Sequence, residues 1–133
     1  MIDDQCVFCN KPAVLENDLA KGFFDIHPVA PGHFLIVPKE HYVTFFDAPR
    51  DVQIAMLDLL DQAKTYLDEQ YHPRGYQVFS HVGKAAFQKV FHAHIHMIPR
   101  FENDSVKFSA KHQSYESMEL MKEYAEKIAA KIV

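Results

Sequence analysis

Three histidines alternate with apolar residues in the last third of the chain, at His92, His94 and His96. Successive side chains of a β-strand point to opposite faces, so this spacing predicts a strand with one imidazole face. At a rise of roughly 3.3 Å per residue, neighbouring imidazoles lie about 6.7 Å apart and the outer pair about 13 Å apart. The other face is apolar and should pack on a core; it carries Phe91, Ala93, Ile95 and Met97.

Two kinds of chemistry suit aligned imidazoles. A metal ion with Zn–N bonds of about 2.1 Å could bind two of the three side chains, but hardly all three. Alternatively, a neutral imidazole can attack phosphorus, and at a pKa near 6.5 roughly three quarters of it is neutral at pH 7. Neighbouring imidazoles disfavour charging one another, and the middle residue, His94, gains most from this effect. A strand with a merely polar exposed face is the remaining alternative.

Residues 92–98 match the signature His-φ-His-φ-His-φ-φ, in which φ is an apolar residue, without a gap. The chain therefore resembles the histidine triad (HIT) superfamily of nucleotide hydrolases and transferases. This resemblance implies that His94 attacks the α-phosphate of a nucleotide and forms a covalent intermediate. It also implies that His96 and Gln88 hydrogen-bond the phosphate oxygens or the leaving group, while His92 orients His94.

Residues 24–41 resemble a second region shared by that family. The resemblance implies that Asp25 accepts hydrogen bonds from the ribose hydroxyls, which suits a carboxylate because it can accept from both O–H groups. It also implies that Phe24 and Ile26 wall the nucleobase pocket. Arg100, which follows the triad, is a candidate phosphate clamp.

The loop before the triad departs from the family pattern Asn-x-Gly-x-x-x-Gly-Gln. Gly83 and Gln88 match it, whereas His81 replaces the asparagine and Phe87 replaces the second glycine. In the family these positions shape contacts with the phosphate and the ribose. His81 could supply a substitute donor, or it could pack. The departures leave the reaction type in place and the substrate open.

Cys6 and Cys9 form a Cys-x2-Cys pair, which supplies two of the four ligands that structural zinc requires. Many bacterial-type members of the family begin with a similar pair. The resemblance implies that His41 and His92 complete a structural zinc site that ties the N-terminal segment 1–12 to the triad. No organic cofactor is expected.

The composition predicts one domain spanning residues 1–133. Apolar residues make up 48% and charged residues 24% of 133 residues, which is ordinary for a globular protein. A net charge of −4 argues against nucleic-acid and membrane-surface partners. With no apolar run of about 18 residues and an acidic start, we expect a cytoplasmic protein with reduced cysteines.

Hydrophobic periodicity predicts strands at 19–27, 33–37, 76–82 and 90–100, a long helix from Asp47 to about Gln70, and a C-terminal helix at 114–132. Asp47 should cap the long helix. Its predicted core stripe comprises Ile54, Leu57, Leu60, Ala63 or Lys64, and Leu67. These elements indicate an α+β domain with a mainly antiparallel sheet, similar to the HIT fold, and the resemblance implies a homodimer.

The predicted function is hydrolysis at the α-phosphate of a nucleoside polyphosphate such as diadenosine tetraphosphate, which releases a nucleoside monophosphate. A purine nucleoside phosphoramidase, which cleaves P–N bonds, is the alternative. The departures at His81 and Phe87 motivate a further alternative, a non-catalytic nucleotide-binding module.

Overall fold

A five-stranded antiparallel sheet forms the centre of the computed structural model, which describes residues 5–102, 104, 122–123 and 126–127. Its strands are β1 (Leu15–Glu16), β2 (Ala20–Phe24), β3 (Phe34–Pro38), β4 (Gly75–Phe79) and β5 (Ile95–Arg100), in the order β1-β2-β3-β5-β4. One long helix, α1 (Arg50–Tyr71), connects β3 to β4. The predicted α+β architecture with a mainly antiparallel sheet and a long helix is confirmed.

The two faces of the sheet have different partners because side chains alternate along each strand. On one face, apolar side chains of the strands pack against α1 in the main core, which comprises Phe34, Ile36, Ile95 and Met97 with Met56, Leu59, Ala63 and Leu67. On the other face, four directly paired residues form a row across the sheet, namely Phe23, Leu35, His96 and Phe79. This second face carries the candidate site.

The prediction for the buried face of α1 was wrong at its first two positions. Ile54 is 50% and Leu57 47% exposed. The buried stripe comprises Val52, Met56, Leu59, Ala63 and Leu67. Both sets recur at three-to-four spacing, so periodicity alone did not distinguish them; packing on the sheet selects the second.

The start of α1 also differs from the prediction. Asp47 ends a 3₁₀ turn (Phe45–Asp47), and its carboxylate accepts hydrogen bonds from the backbone N–H and the hydroxyl of Thr44, at 3.0 and 2.9 Å. The helix begins at Arg50, directly after Pro49. A proline that lacks an N–H suits this position because the first helical N–H groups have no partner within the helix.

The strand predicted at 90–100 begins only at Ile95, so His92 and His94 lie in an irregular segment before β5. Ala93, Ile95 and Met97 are buried as predicted, whereas Phe91 is exposed. The backbone of this segment is held by a hydrogen bond from the N–H of Ala93 to the carbonyl of Tyr42, at 2.6 Å. The short strand β1 was not predicted.

The chain divides into two units, residues 1–103 and 104–133. In the second unit, residues 122–123 and 126–127 are helical, and the rest of the predicted helix 114–132 lies outside the described residues. Within the described part of the chain, α1 and the other helical segments all lack the length or apolarity that crossing a membrane would require.

Candidate active site

A cleft of about 560 Å³ lies on the face of the sheet opposite α1. His94 and His96 line its floor together with Leu35. One wall comes from the N-terminal segment and the connection between β2 and β3, and includes Phe8, Asp25, Ile26 and His33. The other comes from the loop between β4 and the triad, and includes His81, Phe87, Lys89 and Val90.

His94 presents an unprotonated ring nitrogen to the cleft. Its Nδ1 lies 2.7 Å from the carbonyl oxygen of His92, and since a carbonyl can only accept, Nδ1 carries the proton. The proton of a neutral imidazole sits on one nitrogen, so Nε2 retains its lone pair. Burial lowers the pKa of His94, which keeps the ring neutral near pH 7. The hydroxyl of Ser80 donates to the carbonyl of His94 at 2.7 Å and fixes its backbone.

His96, in contrast, presents an N–H donor to the cleft. A fourth histidine, His33, determines which ring nitrogen of His96 carries the proton. The backbone N–H of Val29 donates to Nδ1 of His33 at 3.2 Å, so the proton of His33 lies on Nε2. That N–H is 2.9 Å from Nδ1 of His96, which must therefore accept it. Neutral His96 consequently carries its own proton on Nε2. Burial, followed by neighbouring His94 and His33, lowers the pKa of His96 to about 4.

Asp25 supports this arrangement from the end of β2. One carboxylate oxygen accepts the backbone N–H of His27 at 2.9 Å, and the other lies 3.4 Å from Nε2 of His33. Burial lowers the pKa of His33, and the charge of Asp25 partly opposes this. Asp25 also borders the cleft, where its carboxylate can accept further hydrogen bonds.

Cys6, Cys9, His41 and His92 form a compact cluster whose ligand atoms all lie within 4.8 Å of one another. Nδ1 of His92 is 3.3 Å from Sγ of Cys6 and 3.4 Å from Sγ of Cys9. Nδ1 of His41 is 3.5 Å from Sγ of Cys9. A tetrahedral zinc ion with Zn–S near 2.3 Å and Zn–N near 2.1 Å requires N···S separations of roughly 3.6 Å. The donor set and its dimensions therefore fit zinc.

His92 is oriented toward this cluster by its other ring nitrogen. Its Nε2 lies 2.8 Å from the carbonyl of Pro38 and must donate to it, which leaves Nδ1 as the ligand atom. The ring is fully buried, and burial is the main cause that lowers the pKa of His92 to about 4. Lys21, also buried, donates from Nζ to the carbonyls of Cys9 and Lys11 at 3.0 and 2.7 Å and holds the N-terminal segment on the sheet.

Gln88 organises the loop beside the cleft. Its side-chain oxygen accepts the N–H of Gly83 at 2.8 Å, and its amide donates to the carbonyls of Val43 and Val90 at 2.6 and 3.1 Å. Gly83 adopts φ +91°, a conformation that favours glycine. Nδ1 of His81 donates to the carbonyl of Ala86, which closes the same loop. Contact of Gln88 with a phosphate remains a prediction; the structure gives it a role in shaping the loop.

The structure brings most of the predicted site residues together. The triad, Asp25, Ile26 and His81 meet at the cleft or the metal cluster. Phe24 instead packs its ring on Phe34, Tyr66 and Tyr71, on the α1 side of the sheet. Phe24 therefore does not wall the cleft, and since Phe23 and Phe24 are adjacent aromatic residues, the sequence alone did not show which of them faces it.

Arg100 also lies elsewhere, in a separate hollow with Arg74, Gly75, Phe101 and Glu102. His33, Phe8 and Lys21 were not predicted. The alternation His33, Leu35, Val37 along β3 could have placed His33 on the site face. Phe8 and Lys21 gave no such signal, because their roles depend on how the N-terminal segment folds over the sheet.

An antiparallel sheet with a helix on one face and buried, alternating histidines on the other defines the class of histidine triad domains. A model of the HIT domain family matches residues 9–103 of this chain. The chain belongs to the HIT family, as its resemblance indicated.

Relatives and solved structures agree with this assignment. An uncharacterised HIT-like protein of Borreliella burgdorferi is 32% identical over 96% of this chain and 98% of its own length. The adenosine 5'-monophosphoramidase HNT1 of Saccharomyces cerevisiae is 32% identical over 78% of this chain and 68% of its own. The crystal structure of a zinc-bound histidine triad family protein from Mycobacterium smegmatis superposes with a TM-score of 0.70, at 31% identity over 95% of this chain and 96% of that one.

Proposed function

We propose that the protein hydrolyses nucleotides at the α-phosphate through a covalent nucleotidyl-histidine intermediate on His94, with dinucleoside polyphosphates such as diadenosine tetraphosphate as its substrate class. One observation carries this proposal. An unprotonated Nε2 on His94 and a protonated Nε2 on His96 belong to adjacent rings, whose centroids are 5.0 Å apart, at the floor of one cleft. A nucleophile beside a proton donor is what displacement at phosphorus requires.

In the first step, the lone pair of His94 Nε2 attacks the α-phosphorus and the bond to the bridging oxygen breaks. The leaving oxygen takes the electron pair, and the Nε2–H of neutral His96 donates a hydrogen bond that stabilises the resulting charge. The nucleotidylated ring of His94 becomes cationic, and its Nδ1–H remains bonded to the carbonyl of His92, which stabilises that charge.

In the second step, water attacks the same phosphorus and the P–N bond breaks. The electron pair returns to Nε2 of His94, and the proton lost by water passes to the solvent, while His96 keeps its Nε2–H. A nucleoside monophosphate leaves, and both rings regain their starting tautomers. The hydrogen bond that His33 donates to Nδ1 of His96 keeps the proton of His96 on Nε2 for the next cycle.

The transferred nucleoside occupies the wall formed by Asp25, Ile26 and Phe8. Asp25 accepts from the ribose hydroxyls, and the apolar side chains flank a purine base. Ile26 is 64% exposed, and a large apolar side chain that borders a cleft suits burial by a ligand.

Zinc is the metal that we propose for Cys6, Cys9, His41 and His92. When bound, it supplies a structural cross-link between the N-terminal segment and the triad. The zinc-bound histidine triad family protein of Mycobacterium smegmatis supports this choice.

A phosphoramidase is the second candidate, supported by the activity that names the Saccharomyces cerevisiae relative. An amine leaving group needs a hydrogen-bond donor beside its nitrogen, and the Nε2–H of His96 supplies one. A module that binds purine nucleotides without turnover is the third.

A homodimer accompanies this function. β4 is an edge strand of the described sheet, and its Val78 is about half exposed, as are Ile54 and Leu57 of α1. Edge strands and unburied apolar side chains favour association with a second copy. Light scattering at micromolar concentration should give twice the mass of the chain, and a monomer would contradict this assignment.

The test is rapid-quench mass spectrometry during turnover of diadenosine tetraphosphate. We expect a peptide containing His94 to gain the mass of adenylate, and this adduct to disappear as substrate is exhausted. Side-by-side turnover of an adenosine phosphoramidate separates the two enzyme candidates. Turnover without any adduct on His94 would overturn the mechanism, and tight binding without turnover would favour the module.

A further inference from the structure

Phe87 borders the cleft and has a backbone conformation that is unfavourable for a residue with a side chain. Its φ of 69° and ψ of 25° lie in the left-handed region, which glycine adopts readily and other residues adopt rarely. Its ring is nonetheless 76% exposed, so this residue contributes little packing to offset the strain. An exposed aromatic side chain held in a strained conformation at the edge of a cleft indicates a role in binding.

The loop holds Phe87 rigidly. The N–H of Phe87 donates to the carbonyl of Lys84 at 3.0 Å, and the N–H of Gln88 donates to that of Gly83 at 3.1 Å. The buried side chain of Gln88 anchors the loop from below with three further hydrogen bonds. An aromatic ring on a fixed backbone loses little conformational entropy when a ligand stacks on it.

The position of Phe87 indicates which part of a substrate its side chain would contact. β5 lies between β3 and β4, so His96 has Asp25 and His33 on its β3 side and His81 on its β4 side. The nucleoside that becomes attached to His94 occupies the Asp25 side under the proposed function. The wall that carries Phe87 therefore faces the remainder of the substrate, which is the leaving group.

Lys89 adds a charge to the same wall. It is exposed, borders the cleft and lies two residues from Phe87. An ammonium group there attracts phosphates beyond the α-phosphate, and the neighbouring ring offers a stacking surface to a base. A small neutral amine would use neither feature.

We infer that Phe87 and Lys89 form a leaving-group subsite that selects substrates whose leaving group is a polyphosphate carrying an aromatic base, that is, a second nucleotide. This inference rests on the proposed function for the reaction that it serves. It assigns separate contributions to the two residues, since Phe87 recognises the base and Lys89 recognises the phosphates.

The experiment compares two substrates that yield the same product. Diadenosine tetraphosphate and adenosine 5'-tetraphosphate both release adenylate, but only the first has a second base. In Phe87→Gly, kcat/KM for diadenosine tetraphosphate should fall about tenfold, as expected for one lost base–aromatic stack. The value for adenosine 5'-tetraphosphate should be almost unchanged, and Phe87→Tyr should behave like the native protein.

Matched controls separate this effect from damage to the fold. Glycine suits a φ of 69°, so Phe87→Gly should melt at the native temperature or above it. Lys89→Met should lower kcat/KM for both substrates by similar factors, because both carry the phosphates. Equal losses for the two substrates in Phe87→Gly, or no loss for either, would overturn the subsite.

Failure of the proposed function would give a different result. If the native protein turns over neither compound, the hydrolase proposal fails while the subsite is still tested by the dissociation constant of diadenosine tetraphosphate. Binding that is about tenfold weaker in Phe87→Gly supports the subsite, since the lost stacking is the same. Equal affinities of the native protein and the variant would overturn it.

Discussion

The metal cluster and the cleft use histidines two residues apart for different chemistry. His92 donates from Nε2 to the carbonyl of Pro38 and turns Nδ1 toward the thiols of Cys6 and Cys9. His94 donates from Nδ1 to the carbonyl of His92 and turns Nε2 toward the cleft. The backbone carbonyl that each ring engages thus sets which ring nitrogen is free, and the free nitrogen faces the cysteines in His92 and the cleft in His94.

Burial adds to this difference. Both rings are buried, but His92 has no exposed surface, whereas His94 borders a cleft that admits a substrate. A fixed tautomer on a fully buried ring, as in His92, favours a structural metal ligand. A fixed tautomer on a ring that borders a cleft, as in His94, favours a reactive group. Variants that affect one region and spare the other can therefore test the comparison.

The largest effect should follow replacement of His94. His94→Ala removes the nucleophile and should lower kcat by a factor on the order of 10⁴–10⁶, as loss of a covalent nucleophile does elsewhere. Zinc content should stay near its native value because the metal cluster is untouched, whereas loss of the buried ring, which packs on Phe8, should lower the melting temperature by a few degrees. Steady-state adenylate release measures kcat. Activity within tenfold of the native protein would reject the assignment of His94 as the nucleophile.

Loss of the metal should act on stability instead. Chelation, or Cys9→Ser, should lower the melting temperature by about 10 °C or more, because the ion binds the folded chain alone. Calorimetry with metal analysis checks this. Activity measured below the new melting temperature should persist at a reduced level. A metal-free protein with unchanged stability would show that the cluster has no structural role.

A smaller effect is expected at His33, which links Asp25 to His96. His33→Phe removes the N–H that assigns the tautomer of His96, so kcat for a substrate with a basic leaving group should fall about a hundredfold. A leaving group that needs no proton, such as p-nitrophenolate, should be affected far less. Equal losses with both leaving groups would indicate a merely structural role for His33.

The smallest effect concerns pH. His96 faces His94, His33, Asp25 and His81, and its pKa is lowered to about 4 from an ordinary value of 6.5. Below pH 6.5, His96 becomes protonated in the unfolded chain but stays neutral in the folded chain. The free energy of unfolding should therefore fall as the pH drops from about 6.5 to about 4. Above pH 6.5 this contribution should be constant. The ring resonances of His96 should not shift between pH 8 and 5, and titration near 6.5 would contradict this.

The sequence predicted the architecture well because alternation and helical periodicity are local signals. The triad and Asp25 were found from a motif, and the pair Cys6 and Cys9 from spacing. The tautomers could not be predicted, since they depend on carbonyls such as that of Pro38, which lies 54 positions from His92. Phe24 was assigned to the site although it faces α1, because two adjacent aromatic residues leave the face of each undecided until β2 pairs with β3.

The acceptor that orients the ring of His94 is a main-chain atom of residue 92. Codon changes at that position can remove the imidazole of His92, and with it one side chain of the candidate metal cluster, but every amino-acid replacement keeps a carbonyl oxygen there. Related lineages could therefore abandon the metal and stabilise the N-terminal segment by other means while retaining the reaction. The stabilising and reactive halves of this molecule are, in that sense, free to evolve separately.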